Sequence, residues 1–391
     1  MRRIGLQERR ARLGTRHHLA RETVGADVVE VTRSLVALHA TDPSSVYLAA
    51  RTRTSEDAVV AVERALYDDR SLVRMLGMRR TMFVVPVELA PVVQAGCTRA
   101  IAATERRRLV QQLEAAGIAA DGARWLEEVE HSTLAALRAR GEATAAELAA
   151  AEPRLREQMV LAPGKPYSTS AAVTTRVVSQ LAADGLIVRG RPRGSWTSSQ
   201  YRWAPVESWL PGGLPELPAE AARAELARRW LSAFGPGTAA DLKWWTGWPA
   251  GQVSRALAAV GPVEVELDGT TTLLLADDLE PVPAPAPWVA LLPALDPTLM
   301  GWSGREWYLG DHGPALFDRS GNPGPTVWCD GRIVGGWAQR KDGQVVVRLL
   351  EDIGTGATAA VREEAGRLTA WLGDVRVTPR FRTPLERELT T

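Results

Sequence analysis

The stretch from Ala219 to Ala276 spells out one complete module, and it limits what the chain can fold into more than any other feature. Ala219 to Phe234 carries apolar residues at helical spacing. Gly235-Pro236-Gly237-Thr238 turns into a second helix, Ala239 to Trp245. A third, Pro249 to Val260, opens on proline, whose fixed φ suits the first turn of a helix. Val263 to Leu267 and Thr271 to Ala276 then flank Asp268-Gly269, a dipeptide that tolerates the positive φ angles of a tight hairpin. A helix, a helix-turn-helix pair and a two-stranded wing make a winged helix.

The same order recurs upstream. Trp125 to Arg140, Ala145 to Ala151 and Thr169 to Asp184 read as helices, the last closed by Gly185. Leu186 to Gly190 and Tyr201-Arg202-Trp203 read as paired strands, with Arg191 to Gln200 as a long hairpin tip. Residues 1–105 read as three helices and a strand at Thr81 to Val85, after which Val87 to Val93 resumes a helix. Pro281-Val282-Pro283-Ala284-Pro285-Ala286-Pro287 is a stiff linker. Beyond it, short strands separated by Asp330-Gly331 and Asp342-Gly343 predict a small β-barrel-like domain, followed by a helix from Ala357 to Leu372 and a last strand from Val375 to Phe381. The expected class is α+β: winged-helix domains over 1–105, 106–210 and 211–281, then a β-rich domain over 288–391.

Repeated helix-turn-helix-wing units point to nucleic acid, because one helix can enter the major groove while the wing reaches the backbone. Winged helices also serve as protein-interaction modules. A formal net charge of +1 argues against a strongly basic footprint, although charge averaged over a chain can hide a basic concave face. All cations except Lys165, Lys243 and Lys341 are arginine. Arginine suits bidentate phosphate contact, and a G- and C-rich genome gives the same bias. Cys97 and Cys329 lie far apart, so neither a zinc site nor a disulfide framework is expected, and a reducing cytoplasm fits. No cofactor motif is present, the first residues lack the apolar core of a signal peptide, and no run of about eighteen apolar residues predicts a membrane span.

Chemistry concentrates in Leu38-His39-Ala40-Thr41-Asp42-Pro43. Val28, Val29, Val31, Leu35, Val36 and Leu38 predict a helix that stops here, and Asp42-Pro43 predicts the cap and first residue of another, running to Arg51. His39, Thr41 and Asp42 thereby become candidate catalytic residues at a helix junction. Asp42 also has the plain role of an N-cap, and His39 that of a satisfied helix-end histidine. The candidate nucleic-acid contacts are Arg79 and Arg80 beside the Thr81 strand, and Arg191, Arg193, Trp196 and Ser198 on the hairpin tip. Trp196 there could wedge between bases or simply pack on its own domain. Trp244, Trp245 and Trp248 read as core rather than as a stacking platform.

Four segments in order resemble the AlkZ/YcaQ family of DNA glycosylases. Val36 to Pro43 is similar to the family's Leu-Gln-x-Gln-Asp-Pro, and Arg80-Thr81-Met82-Phe83-Val84-Val85-Pro86 to its Arg-Gly-Thr-Leu-His-Leu-Val-Pro strand. Arg229 to Pro236 with Asp241 to Gly247 resembles its third winged helix. Leu291 to Pro297 and Asp330 to Trp337 resemble its C-terminal barrel. The resemblance implies tandem winged helices in a curved arrangement around double-stranded DNA. It also implies monofunctional excision of bulky N7-alkylguanine, as in self-resistance to a DNA-alkylating natural product such as an intercalating aromatic polyketide, by a cytoplasmic protein, expected to be a monomer. The family's catalytic Gln-x-Gln pair falls on His39 and Thr41, and both are departures. The expectation is that His39 orients or deprotonates the hydrolytic water, Thr41 holds it, and Asp42 fixes the loop. The alternative is a non-catalytic winged-helix DNA-binding protein, a regulator or a lesion-binding shield.

Overall fold

The computed structural model describes residues 1–25, 27–161 and 169–391. Over 219–276 the expected helices and hairpin strands are present. Helices Ala219–Phe234, Ala239–Thr246 and Ala250–Val260 precede strands Val263–Leu267 and Thr270–Leu274. Thr238 Oγ1 accepts from Asp241 N–H at 3.1 Å, and Asp241 Oδ2 accepts back from Thr238 N–H at 3.0 Å, a capping box. Asp268 and Gly269 have φ of +47° and +83°, as the tight turn requires. One strand was not foreseen: Arg3–Ile4 adds in parallel to Glu266 and Leu267, and Ile4 is buried with Val265, Leu267 and Leu274. Two residues are too few to show a period.

In the preceding segment, helices Gly122–Arg140, Ala145–Ala151 and Thr174–Ala183 lead into the hairpin Ile187–Pro192 and Tyr201–Pro205. The helix expected from Thr169 is corrected. Thr169–Ala172 pairs with Gln158–Leu161 as a strand, and the helix starts only at Thr174.

The amino-terminal segment needs a larger correction. The apolar run after Asp27 is helical only over Val28–Ser34, Val36 turns through φ +66°, and Leu38–His39 is a short strand. Leu38 pairs with Val84 and His39 with Phe83, and strand Met82–Pro86 pairs on its other side with Leu72–Leu76. Leu35, Val36 and Leu38 are all buried. Their spacing therefore reported burial correctly but not helix, because cross-strand pairing overrode local propensity.

The expected barrel is also corrected. Strands Val289–Leu292, Thr326–Cys329, Arg332–Gln339 and Val345–Leu349 form a four-stranded antiparallel sheet in that order, open rather than closed among the described residues. Helix Gly354–Leu372 covers it. Val375 to Phe381 is not a strand, and Val377 N–H donates to the side-chain Oε1 of Gln339 at 2.8 Å instead of to a ladder.

Apolar packing ties remote segments together. One core joins the amino-terminal helices, the Ala219–Phe234 helix and the four-stranded sheet, while Leu109, Leu126, Val177 and Leu181 belong to a second core. Aromatic rings run through the first: Phe234 to Trp302 at 5.3 Å, Trp302 to Tyr308 at 6.0 Å, Tyr308 to Trp328 at 5.3 Å. Trp245 and Trp248 are core as expected, whereas Trp244 is only half-buried.

At the centre lies an ion pair with both side chains 0% exposed, Arg53 and Asp296. The guanidinium donates to both carboxylate oxygens at 2.6 and 2.9 Å, and also to the backbone oxygens of His17 and Ala49 and to Thr298 Oγ1. His17 shares the network through Thr298 Oγ1 at 2.9 Å and Ala233 O at 3.1 Å. Burial, with Arg53 nearby, pushes its imidazole down to about 3.

Asp296→Ala leaves Arg53 buried and unpaired, so urea unfolding should show a loss of about 3–5 kcal/mol. His17 gives a pH signature. Its folded pKa lies below the unfolded value, so stability is full above about 6.5 and declines as pH falls toward 3. At pH 5 the loss from this residue is roughly 2 kcal/mol. Unfolding between pH 4 and 6 should take up about one proton fewer in His17→Asn than in the parent.

Candidate active site

Helix Pro43–Arg53 is held at its far end by Arg53, and its start carries the candidate residues. Asp42 is the N-cap. Oδ1 accepts from Ser44 N–H at 3.1 Å and from Ser44 Oγ at 2.7 Å, and Oδ2 accepts from Arg380 N–H at 2.9 Å. Three donors thus hold the carboxylate, so its geometry is that of a clamp between residue 42 and the carboxy-terminal segment. Thr41 Oγ1 accepts from Met82 N–H at 3.3 Å, which leaves the hydroxyl proton free to donate.

His39 sits on the strand, not at a helix end, and is 3% exposed. Its ring meets Phe83 edge-on at 5.0 Å. Nδ1 accepts a long 3.5 Å contact from Thr41 N–H, which favours the tautomer with the proton on Nε2. Nε2 has no protein partner among the described residues. Burial, helped by the charge of Arg79, pushes the imidazole down to about 3. At neutral pH the ring is neutral, a donor at Nε2 and a very weak base.

Cations gather around this turn. Arg74 is buried, donates to Ala40 O at 3.1 Å and lies 5.0 Å from the Tyr201 ring. Arg189 stacks on Tyr201 and Trp203 at 5.2 and 5.4 Å, and burial lowers it to about 10. Arg380 acts electrostatically on Arg189 and belongs to an arginine-lined groove of about 750 Å³ with Arg319, Arg382 and Arg387. A smaller apolar cavity of about 250 Å³ lies against Arg74, Met75 and Arg189. Net charge near zero therefore coexists with a local concentration of positive charge.

The expected nucleic-acid contacts divide. Arg79 is half-buried beside Trp244, and Arg80 is exposed but paired with Glu105 at 3.2 Å. Arg193 is exposed at the hairpin tip, and Ser198 Oγ accepts from Gln200 N–H at 3.1 Å. Arg191 is engaged within the chain, to Glu63 at 2.6 Å, Asp68 at 3.0 Å and the Tyr67 ring at 4.9 Å. The protruding Trp196 is corrected: it is 8% exposed and packs between Tyr47 and Trp371 at 5.0 and 5.8 Å. Sequence reading missed Arg189, Tyr201 and Arg380. One signal was available, since Arg189 interrupts the apolar run Leu186-Ile187-Val188 on a strand whose partner carries Tyr201. Among the described residues no group of three or more His, Cys, Asp or Glu could hold a metal, and no helix is long and apolar enough to cross a membrane.

Comparison with known proteins places this geometry. The solved structure of DNA glycosylase AlkZ from Streptomyces sahachiroi matches with a TM-score of 0.73 at 20% identity, covering 94% of this chain and 97% of that one, so the two share a fold. No curated protein sequence matches. The sequence model of the AlkZ-like DNA glycosylases matches residues 32–371, a span that holds the His39–Asp42 turn, the cations around it and the sheet beyond. The chain belongs to the AlkZ-like DNA glycosylase family and is a DNA-repair enzyme of that class.

Proposed function

We propose that this glycosylase hydrolyses the N-glycosidic bond of bulky N7-alkylguanine in duplex DNA. In this reading its three helix–hairpin modules act as tandem winged helices along the duplex, and one chain suffices for activity. The observation that carries the reading is the Ala40–Asp42 turn. The His39 imidazole just before the turn and the Thr41 hydroxyl within it have free donors, and Arg79 and Arg189 beside them have no carboxylate partner among the described residues.

The chemistry asks little of a base. Alkylation at N7 makes guanine cationic, so the purine leaves as a neutral base while positive charge develops on the sugar. What remains is to place a water at C1′, and positioning alone can contribute ~7 kcal/mol or more. Neutral His39 donates from Nε2 to one lone pair of the water, Thr41 Oγ1 accepts one of the water's protons on its remaining lone pair, and the second water lone pair is left to attack C1′. The water's proton passes to solvent only after the bond to C1′ has largely formed, so an imidazole near 3 serves as an orienting group rather than a general base. Asp42 holds the turn. A producer of a DNA-alkylating natural product would use such an enzyme for self-protection.

A second reading, a DNA-binding protein without activity, is favoured by the 3% exposure of His39. Incubation with duplex carrying an N7-alkylguanine adduct separates the two: free adducted base and an abasic site mean excision, and a gel shift alone means binding.

His39→Ala should lower single-turnover excision on the order of 100-fold or more while DNA affinity stays within about twofold. Retained excision in that variant would sink the assignment. Because the imidazole stays neutral down to about 3, the parent's single-turnover rate should be flat from pH 5.5 to 8. A general base with an ordinary histidine pKa would instead lose about tenfold per pH unit below 6.

A further inference from the structure

The connection between strands Leu72–Leu76 and Met82–Pro86 is built against local preference. Gly77 N–H donates to Thr81 O at 2.9 Å and Thr81 N–H to Met78 O at 3.1 Å, closing a tight turn with Arg79 and Arg80 at its two central positions. Both are left-handed, Arg79 at φ +51° and ψ +24°, Arg80 at φ +64°. That geometry suits Asn-Gly, and for residues with a Cβ it is strained. Such strain persists where the side chains are needed.

Arg80 has a carboxylate partner, Glu105. Arg79 has none. Its guanidinium carbon lies 4.0 Å from the centre of the Trp244 ring, and its Nε is buried without a partner. The charge acting on it is another cation, Arg305, which lies 4.6 Å from the same ring. Among the described residues the Arg305 guanidinium makes one hydrogen bond, from Nε to Trp302 O at 3.2 Å, and it also rests on Phe317. Gly247, at φ +76°, lies against the Arg79 backbone, where a Cβ would make ordinary contact at 3.5 Å with Arg79 Cα. Two like charges share one indole and repel each other, and no carboxylate is among the charges acting on Arg79. The charge of Arg79 also reaches His39.

We propose that Arg79 and Arg305, stacked on Trp244, clamp one backbone phosphodiester of the DNA next to the nucleotide presented to His39. A phosphodiester carries one negative charge and two free oxygens, which matches two guanidinium forks. Trp244 holds both cations in place before DNA binds. The strained turn fixes the angle at which Arg79 meets the backbone. This clamp rests on the reading of His39 as the site of hydrolysis, but its test needs no excision.

The test measures affinity for an undamaged duplex by fluorescence anisotropy across a range of salt concentrations. One phosphate contact contributes about 0.9 to the slope of log affinity against log salt. Arg79→Gln combined with Arg305→Gln should reduce the slope by about that amount, on every duplex sequence tried. Arg305→Gln alone, in a half-buried side chain away from the turn, should reduce it in part and guards against misfolding. Arg79→Asn with Arg80→Gly installs the pair that the turn prefers. It should melt no lower than the parent and still lose slope, with weaker binding. An unchanged slope in these variants, or a lower melting temperature with the slope retained, would mean that Arg79 is a packing residue and overturn the clamp. Reduced slopes in a protein that excises nothing would leave the clamp standing and remove only the hydrolytic reading.

Discussion

The buried pair of Arg53 and Asp296 is the constraint on which the rest depends. It joins the last turn of helix Pro43–Arg53 to the loop that follows the first strand of the carboxy-terminal sheet. The same helix presents Ser45 to Ala294 O at 2.7 Å, and its cap Asp42 reaches Arg380. Both ends of one helix are therefore fixed to the carboxy-terminal portion, and the turn that carries His39 and Thr41 cannot drift relative to either. A buried ion pair is weak evidence for net stability, since an apolar replacement of similar volume often does as well. Its value here is directional: five donor contacts from one guanidinium admit few alternative dockings.

Within that frame, burial does chemical work. An imidazole held neutral cannot compete for a proton, but it keeps one tautomer and one donor direction. The surrounding arginines are placed on aromatic faces rather than on carboxylates, as Arg189 is on Tyr201 and Trp203, and Arg79 on Trp244. Aromatic faces steady a guanidinium without neutralising it, so the charge remains available to a polyanion.

Much of the fold was legible where local rules and tertiary packing agree. Asp268 with Gly269 announced its turn, and the structure has it. Asp42 was readable as a cap for the same reason. Reading failed where a partner distant in sequence decided the outcome. Leu38–His39 became a strand because Val84 and Phe83 offered an edge. Residues 375–381 resembled a strand but found a side-chain amide at Gln339 rather than a backbone ladder. At the site, residue types were legible and environments were not. Trp196 looked exposed because its tip is polar, yet Tyr47 and Trp371 enclose it.

Arg3–Ile4 completes a sheet whose other strands are Val263–Leu267 and Thr270–Leu274. During synthesis these two residues must wait, unpaired, while roughly 260 more emerge, a separation of the kind that slows folding. Until then Ile4 has no apolar cover, and the 263–267 edge stays open once made. A bulky fusion placed directly before Arg3 would compete for that edge, whereas one placed after the terminal helix Pro384–Thr390 would leave the closing step undisturbed.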